Sequence, residues 1–131
     1  MANSNQETIY EALGGAGGVR KLVEAFYPIV LENELLSPHF AQSDIEDVIE
    51  KQYLFLTQFF GGPFLYSDRY GHPMMRARHM HIPLTPELAE AWLSCMGQAL
   101  NRTGVPSPLR EAVLERLSAP AYHFINTPSK E

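Results

Sequence analysis

Between Arg69 and His81 the chain carries three arginines, three histidines and no carboxylate, although its net charge is −5. The segment follows Gly61-Gly62-Pro63, which stops a helical pattern, and it contains a short helix-like run from Pro73 to Arg78. His79 closes that run. A neutral imidazole can give one ring nitrogen to a metal while the other donates to a carbonyl or carboxylate, which fixes the tautomer. If that metal is the iron of a haem, Arg76 and Arg78 suit its anionic propionates. Two other readings compete. A solvated basic loop with a surface histidine is the simpler explanation of the local run taken alone. A zinc site of His72, His79 and His81 lacks a second ligand cluster and a cysteine pair.

The elements that must position this segment are helical. Val19, Leu22, Val23, Phe26 and Val30 recur at helical spacing from about Gly17, with Tyr27 beside the stripe. Pro28 should bend that helix just past the tyrosine. A Thr8–Glu11 capping box opens a short helix before it. Ser43 and Glu46 read as the capping box of a further helix running to about Phe60. Its inward stripe includes Val48, Gln52, Phe55 and Leu56. Gln52 is polar on an apolar stripe, and a buried amide without partners costs about 1–3 kcal/mol. It bonds to backbone, leans to solvent, or aims a donor at a ligand. The link from Gly61 to Pro73 shows little periodicity.

Thr85-Pro86-Glu87 is a strong helix start, and Leu88, Trp92, Cys95, Met96, Ala99 and Leu100 follow at inward spacing. Ser107-Pro108 opens the last helix, with Val113, Leu117, Ala121 and Phe124 inward and a kink expected at Pro120. No alternating strand pattern, repeat or low-complexity tract occurs. The fold class is therefore all-α.

Length and composition set the frame. The 131 residues suit a single domain, 1–131, with 1–7 and 127–131 expected to fray. Apolar residues make up 45% and charged residues 19%, an ordinary globular mix. The acidic balance argues against a nucleic-acid partner. The polar start MANSNQE has no signal-peptide pattern, and no apolar run approaches a membrane span, so no membrane partner is expected. Cys95 is the one cysteine, which excludes an internal disulfide and matches a cytoplasmic setting.

The longer pattern narrows the choice. Gly61-Gly62-Pro63, a tyrosine, then Gly71-His72-Pro73-Met74 followed by Arg76, Arg78 and His79 resembles the signature of the group II truncated haemoglobins. Phe26-Tyr27, Phe40, Phe55 to Gln58 and Ala91 to Met96 extend the match in order and spacing, from about Ile9 to Pro128. The resemblance implies a two-over-two helical sandwich enclosing haem b (iron protoporphyrin IX), with His79 as the one protein ligand of the iron. It implies three ligand-facing donors, Tyr27, Gln52 and Trp92. Single tyrosines and tryptophans are more often core residues. Three donors on three stripes around one pocket favour the functional reading.

Phe40, Val48, Phe55, Leu56 and Met75 are expected against the porphyrin, and Lys51, Tyr66, Arg78 and His81 near its propionates. Val48 stands where many globins carry a distal histidine, so it cannot donate. Pro28 is a departure from the family's usual pattern. The function implied is reversible binding of oxygen and other diatomic ligands. The alternative is an enzyme that converts nitric oxide or peroxide. An enzyme needs an external reductase, since the chain has no GxGxxG motif. Carbon monoxide is a further expected ligand.

Overall fold

A computed structural model describes residues 7–71 and 84–123 of the chain. Every regular element among them is helical, as expected: α1 (Ile9–Ala12), α2 (Gly15–Glu32), a 3-10 turn (Ser37–Phe40), α3 (Ile45–Phe59), α4 (Leu65–Tyr70), α5 (Pro86–Arg102) and α6 (Leu109–His123). α2 packs on α3 and on α5, and α5 packs on α6. Two helical pairs therefore stack across one another, with α2 and α5 meeting at the centre. The short α1 leans on α2 and α6.

The core is the stripe of α2 read from its spacing. Val19, Leu22, Val23, Phe26 and Val30 are fully buried. They meet Cys95, Met96, Ala99 and Leu100 of α5 and Val113 and Leu117 of α6 in one apolar cluster. Each such side chain removed from water contributes about 1.5–3 kcal/mol before the entropy of ordering is set against it.

The helix starts are made by side chains. Thr8 and Glu11 form the expected reciprocal box: the Glu11 N–H donates to the Thr8 hydroxyl at 3.0 Å, and the Thr8 N–H to the Glu11 carboxylate at 3.2 Å. At α3 the expected Ser43 cap is displaced by one residue. The Asp44 carboxylate accepts from the N–H groups of Glu46 and Asp47, at 3.1 and 3.4 Å. A full negative charge at a helix N-terminus serves the free amides and the dipole better than a hydroxyl. At α5, Thr85 accepts from the Leu88 N–H at 3.2 Å, and Pro86 occupies the first turn as expected.

Two further expectations are corrected, the start of α2 and the link after Gly62. α2 begins at Gly15 rather than Gly17, and the helix runs on through Pro28. α6 likewise continues through Pro120. A proline frees the carbonyl four residues before it. Here those carbonyls belong to Glu24 and Arg116, both exposed residues, so water can replace the lost donor. The link after Gly62 contains a helix that periodicity missed. α4 is only six residues long, too short to display a stripe, and it is tied to α3 by one side chain. The Gln58 amide donates to the Ser67 hydroxyl and accepts from the Ser67 N–H, both at 2.9 Å.

The glycine-rich start of α2 includes one position with no room for a side chain. A Cβ at Gly18 would overlap the carbonyl oxygen of Leu13, whereas a Cβ at Gly17 would meet nothing within 4 Å. The two glycines should therefore respond oppositely to alanine. Gly18→Ala should destabilise by about 1–3 kcal/mol through overpacking. Gly17→Ala, inside the same helix, should stabilise by up to about 1 kcal/mol. Urea unfolding of the two variants checks this, and equal shifts of the same sign would contradict it.

Candidate functional site

A cavity of about 330 Å³ opens between α2, α3, α5, α6 and the 3-10 turn. Its walls are largely apolar: Phe40 from the turn, Val48, Phe55 and Leu56 from α3, and Leu88 from α5. Besides His39 and Thr85, three polar side chains line it from three different helices. They are Tyr27 of α2, Gln52 of α3 and Trp92 of α5. The volume falls at the lower end of the range for small-molecule and cofactor pockets.

Aromatic contacts fix two of these three. Phe26 is fully buried, and its ring meets Tyr27 edge-on at 4.9 Å and Trp92 at 5.2 Å. Phe40 meets Tyr27 from the other side, edge-on at 5.8 Å. Tyr27 is 4% exposed, so its hydroxyl sits at the end of a stem that is packed on two sides. Burial pushes its acid dissociation well above the ordinary value of 10.0, so the phenol stays protonated and can donate. Among the described residues the Tyr27 hydroxyl, the Gln52 amide and the Trp92 indole N–H form no hydrogen bond. Elsewhere buried polar side chains are satisfied: the Thr57 hydroxyl, fully buried, donates to the Tyr53 carbonyl at 2.7 Å.

The chain matches the model of the bacterial-like globins over residues 8–126. It belongs to that family. It is similar to the group 2 truncated hemoglobin YjbI of Bacillus subtilis strain 168, with 44% identity over 122 residues, 93% of this chain and 91% of the relative. Among solved structures it resembles the group II truncated hemoglobin of Bacillus anthracis, with a TM-score of 0.91, 47% identity and 96% of each chain covered. A truncated oxygen-avid haemoglobin from Bacillus subtilis matches with a TM-score of 0.85 and 43% identity, over 92% of this chain and 100% of the other. The resemblance to group II truncated haemoglobins drawn from the motifs thus holds, and so does the two-over-two fold.

The cofactor of a globin is haem, and the described residues fit one. A porphyrin presents two broad apolar faces, and the globin's cavity offers aromatic and aliphatic walls with few polar groups. Tyr27, Gln52 and Trp92 add donors that no described protein group engages.

Of the expected porphyrin contacts, Phe40, Val48, Phe55 and Leu56 line the cavity. Lys51 and Tyr66 do not. The Lys51 ammonium is 3.1 Å from the Asp47 carboxylate one turn earlier, and 5.7 Å from the centre of the Tyr70 ring. Tyr66 is buried behind Phe55, which it meets edge-on at 5.9 Å. His79, Met75, Arg78 and His81 lie outside the described residues.

Several wall residues were not assigned to the cavity from sequence. Leu88 and Ala121 sit on the expected inward stripes, but periodicity does not separate residues that pack in the core from residues that line a void. Pro120 also lines the cavity, although its proline chemistry pointed only to a kink. His39, to which spacing assigned no cavity role, lines it from the 3-10 turn while remaining exposed.

Tyr27 gives the globin a pH signature. Above pH 10 the unfolded chain loses the phenol proton while the folded chain keeps it, so the unfolded state is favoured as pH rises. One proton corresponds to about 1.4 kcal/mol per pH unit in that window. Tyr27→Phe should flatten the fall in stability above pH 10 by up to that slope, and leave the dependence below pH 9 unchanged. Denaturant unfolding of both proteins across this range measures it. Parallel curves would show that the Tyr27 hydroxyl is hydrated.

Proposed function

We propose that this globin binds oxygen reversibly, and other diatomic ligands with it, at haem b held by His79 alone. The single domain 1–131 suffices for this. One observation carries the reading: three donors without a protein partner, Tyr27, Gln52 and Trp92, converge on one apolar cavity. No buried polar side-chain atom among the described residues lacks a partner, so these donors keep access to water in the cavity, which a ligand can displace. Haem, when bound, would supply an iron able to take up a small diatomic molecule. The protein supplies donors in a low-dielectric pocket where hydrogen bonds are strong. Tyr27 is rigid and remains protonated, so it is the best placed of the three. Gln52 can turn either its amide nitrogen or its oxygen inward. Val48, one turn before it, contributes bulk without a polar atom.

His79 is read as the iron ligand from its motif. Met75 is read as a porphyrin contact, and Arg78 with His81 as partners of the propionates. Lys51 is a weaker candidate for that role, since Asp47 already engages its ammonium. The description of the Bacillus subtilis relative as oxygen-avid accords with a pocket rich in donors.

The test has two parts. His79→Ala should lose haem or bind it weakly in a reconstitution titration, while His72→Ala and His81→Ala keep it. Retention by the His79 variant, with loss in either of the others, would assign the wrong ligand. Tyr27→Phe and Gln52→Leu should each speed oxygen release by about five- to thirtyfold, the worth of one hydrogen bond of roughly 1–2 kcal/mol. The two effects should combine to less than their sum, because neighbours in one network couple. Val48→Leu, which deletes no donor, should change release least. Stopped-flow displacement of oxygen by carbon monoxide reads these rates, and unchanged release in both donor variants would reject the network.

A further inference from the structure

α3 contributes few residues to the core. Of its fifteen residues only Leu54, Leu56 and Thr57 are buried, while Val48, Ile49, Tyr53, Phe55 and Phe59 pack half-buried at the edge of the core. A helix beside a void can slide or roll more easily than one seated in a packed core. One polar contact joins α3 directly to α2. The Arg20 guanidinium donates from Nη2 to Glu50 Oε1 at 2.9 Å, and its Cζ lies 4.2 Å above the centre of the Tyr53 ring. The guanidinium thus grips two residues one turn apart, by charge in one case and by stacking in the other.

The placement of this grip relates it to the cavity. Arg20 and Tyr27 are seven residues apart on α2, which puts them on the same side of the helix, two turns apart. Glu50 and Tyr53 bracket Gln52 on α3. Any shift of α3 along α2 therefore changes the separation of the Tyr27 hydroxyl and the Gln52 amide. These are the two donors that must meet one small ligand.

We propose that Arg20 is a positioning residue for the ligand pocket: its grip on Glu50 and Tyr53 sets the register of α3 on α2, and so the spacing of the Tyr27 and Gln52 donors. This rests on the reading of those two side chains as donors to the ligand. The ion pair is more than a third exposed, so its direct worth to stability is small. Its effect is on geometry, which a pocket senses at the scale of a fraction of an ångström.

The experiment uses the haem-loaded protein and four variants: Arg20→Gln, Glu50→Gln, the double variant, and the charge exchange Arg20→Glu with Glu50→Arg. Three readouts are taken together: the oxygen release rate, the iron–carbon stretching frequency of the carbon monoxide complex, and the midpoint of urea unfolding. Arg20→Gln and Glu50→Gln should each speed release by roughly two- to thirtyfold, the range for coupling through a contact network. Both should shift the stretching frequency in the same direction as Tyr27→Phe. The double variant should be no worse than either single one, and the charge exchange should restore part of the rate. The unfolding midpoint should move little throughout. A merely structural role would show as lower midpoints with unchanged release and frequency, and would overturn the proposal. If Arg20→Gln is silent while Tyr27→Phe speeds release, the positioning role alone fails. If Tyr27→Phe and Gln52→Leu are silent as well, the donor reading fails and the proposal falls with it.

Discussion

The position of one ring constrains the pocket. Phe26 and Tyr27 are neighbours on α2, about 100° apart around the helix. Phe26 points into the core, where it is fully buried, and Tyr27 points into the cavity. The Phe26 ring touches both Tyr27 and Trp92 edge-on, so one core side chain fixes donors from two helices at once. Edge-to-face contacts are directional as well as attractive, at about 0.5–1.5 kcal/mol each beyond their area. Phe40 completes the brace from the 3-10 turn. A hydroxyl on so constrained a stem stays directed at the cavity, so its donor remains available to whatever enters.

Polar chemistry in this globin divides accordingly. Thr57, fully buried in α3, bonds to the carbonyl four residues back, and Gln58 spends both ends of its amide on Ser67. These groups hold helices in place. Tyr27, Gln52 and Trp92 are left without protein partners, and all three face the same space. A chain that pairs polar groups elsewhere and leaves three facing one cavity keeps those three available to a ligand that displaces water there. That is the usual relation between a stable scaffold and a functional pocket.

Much of this was legible in the sequence, for identifiable reasons. The α2 and α5 stripes were readable because long helices with one buried face repeat their apolar residues many times. The caps at Thr8 and Thr85 were readable because their chemistry is local. Asp44 was missed for Ser43 because two adjacent residues both make good caps, and only the packed geometry decides between them. α4 was missed because six residues hold fewer than two turns. α2 and α6 both run on past their prolines, Pro28 and Pro120. Helix propensity is a local quantity, while α2 is held by the tertiary burial of seven side chains. Within the site, Tyr27, Gln52 and Trp92 came from the family motifs and share a cavity, whereas Lys51 and Tyr66 do not reach it. A long side chain near a pocket can choose between partners, and spacing alone does not decide that the Lys51 ammonium turns to Asp47 one turn earlier.

The organisation of α3 follows from the same division. A helix that lines a cavity forgoes apolar contacts on the face that would otherwise anchor it. Around α3 the missing contacts are replaced at its margins. Asp44 caps its start, and Glu50 and Tyr53 receive Arg20 from α2. Gln58 holds α4, and Arg116 of α6 reaches the Phe59 carbonyl at 3.4 Å, with its guanidinium 5.1 Å from the Phe59 ring centre. Individually these polar ties are weak, because most are partly exposed. They are directional, however, and a void cannot supply direction. An apolar face packed on an apolar face tolerates small slides, since one dispersion contact replaces another. A guanidinium seated on a carboxylate and a phenol ring does not slide in that way. A cavity wall with few fully buried residues is thus held by specific contacts at its edges, which is how a pocket can stay open and keep its shape.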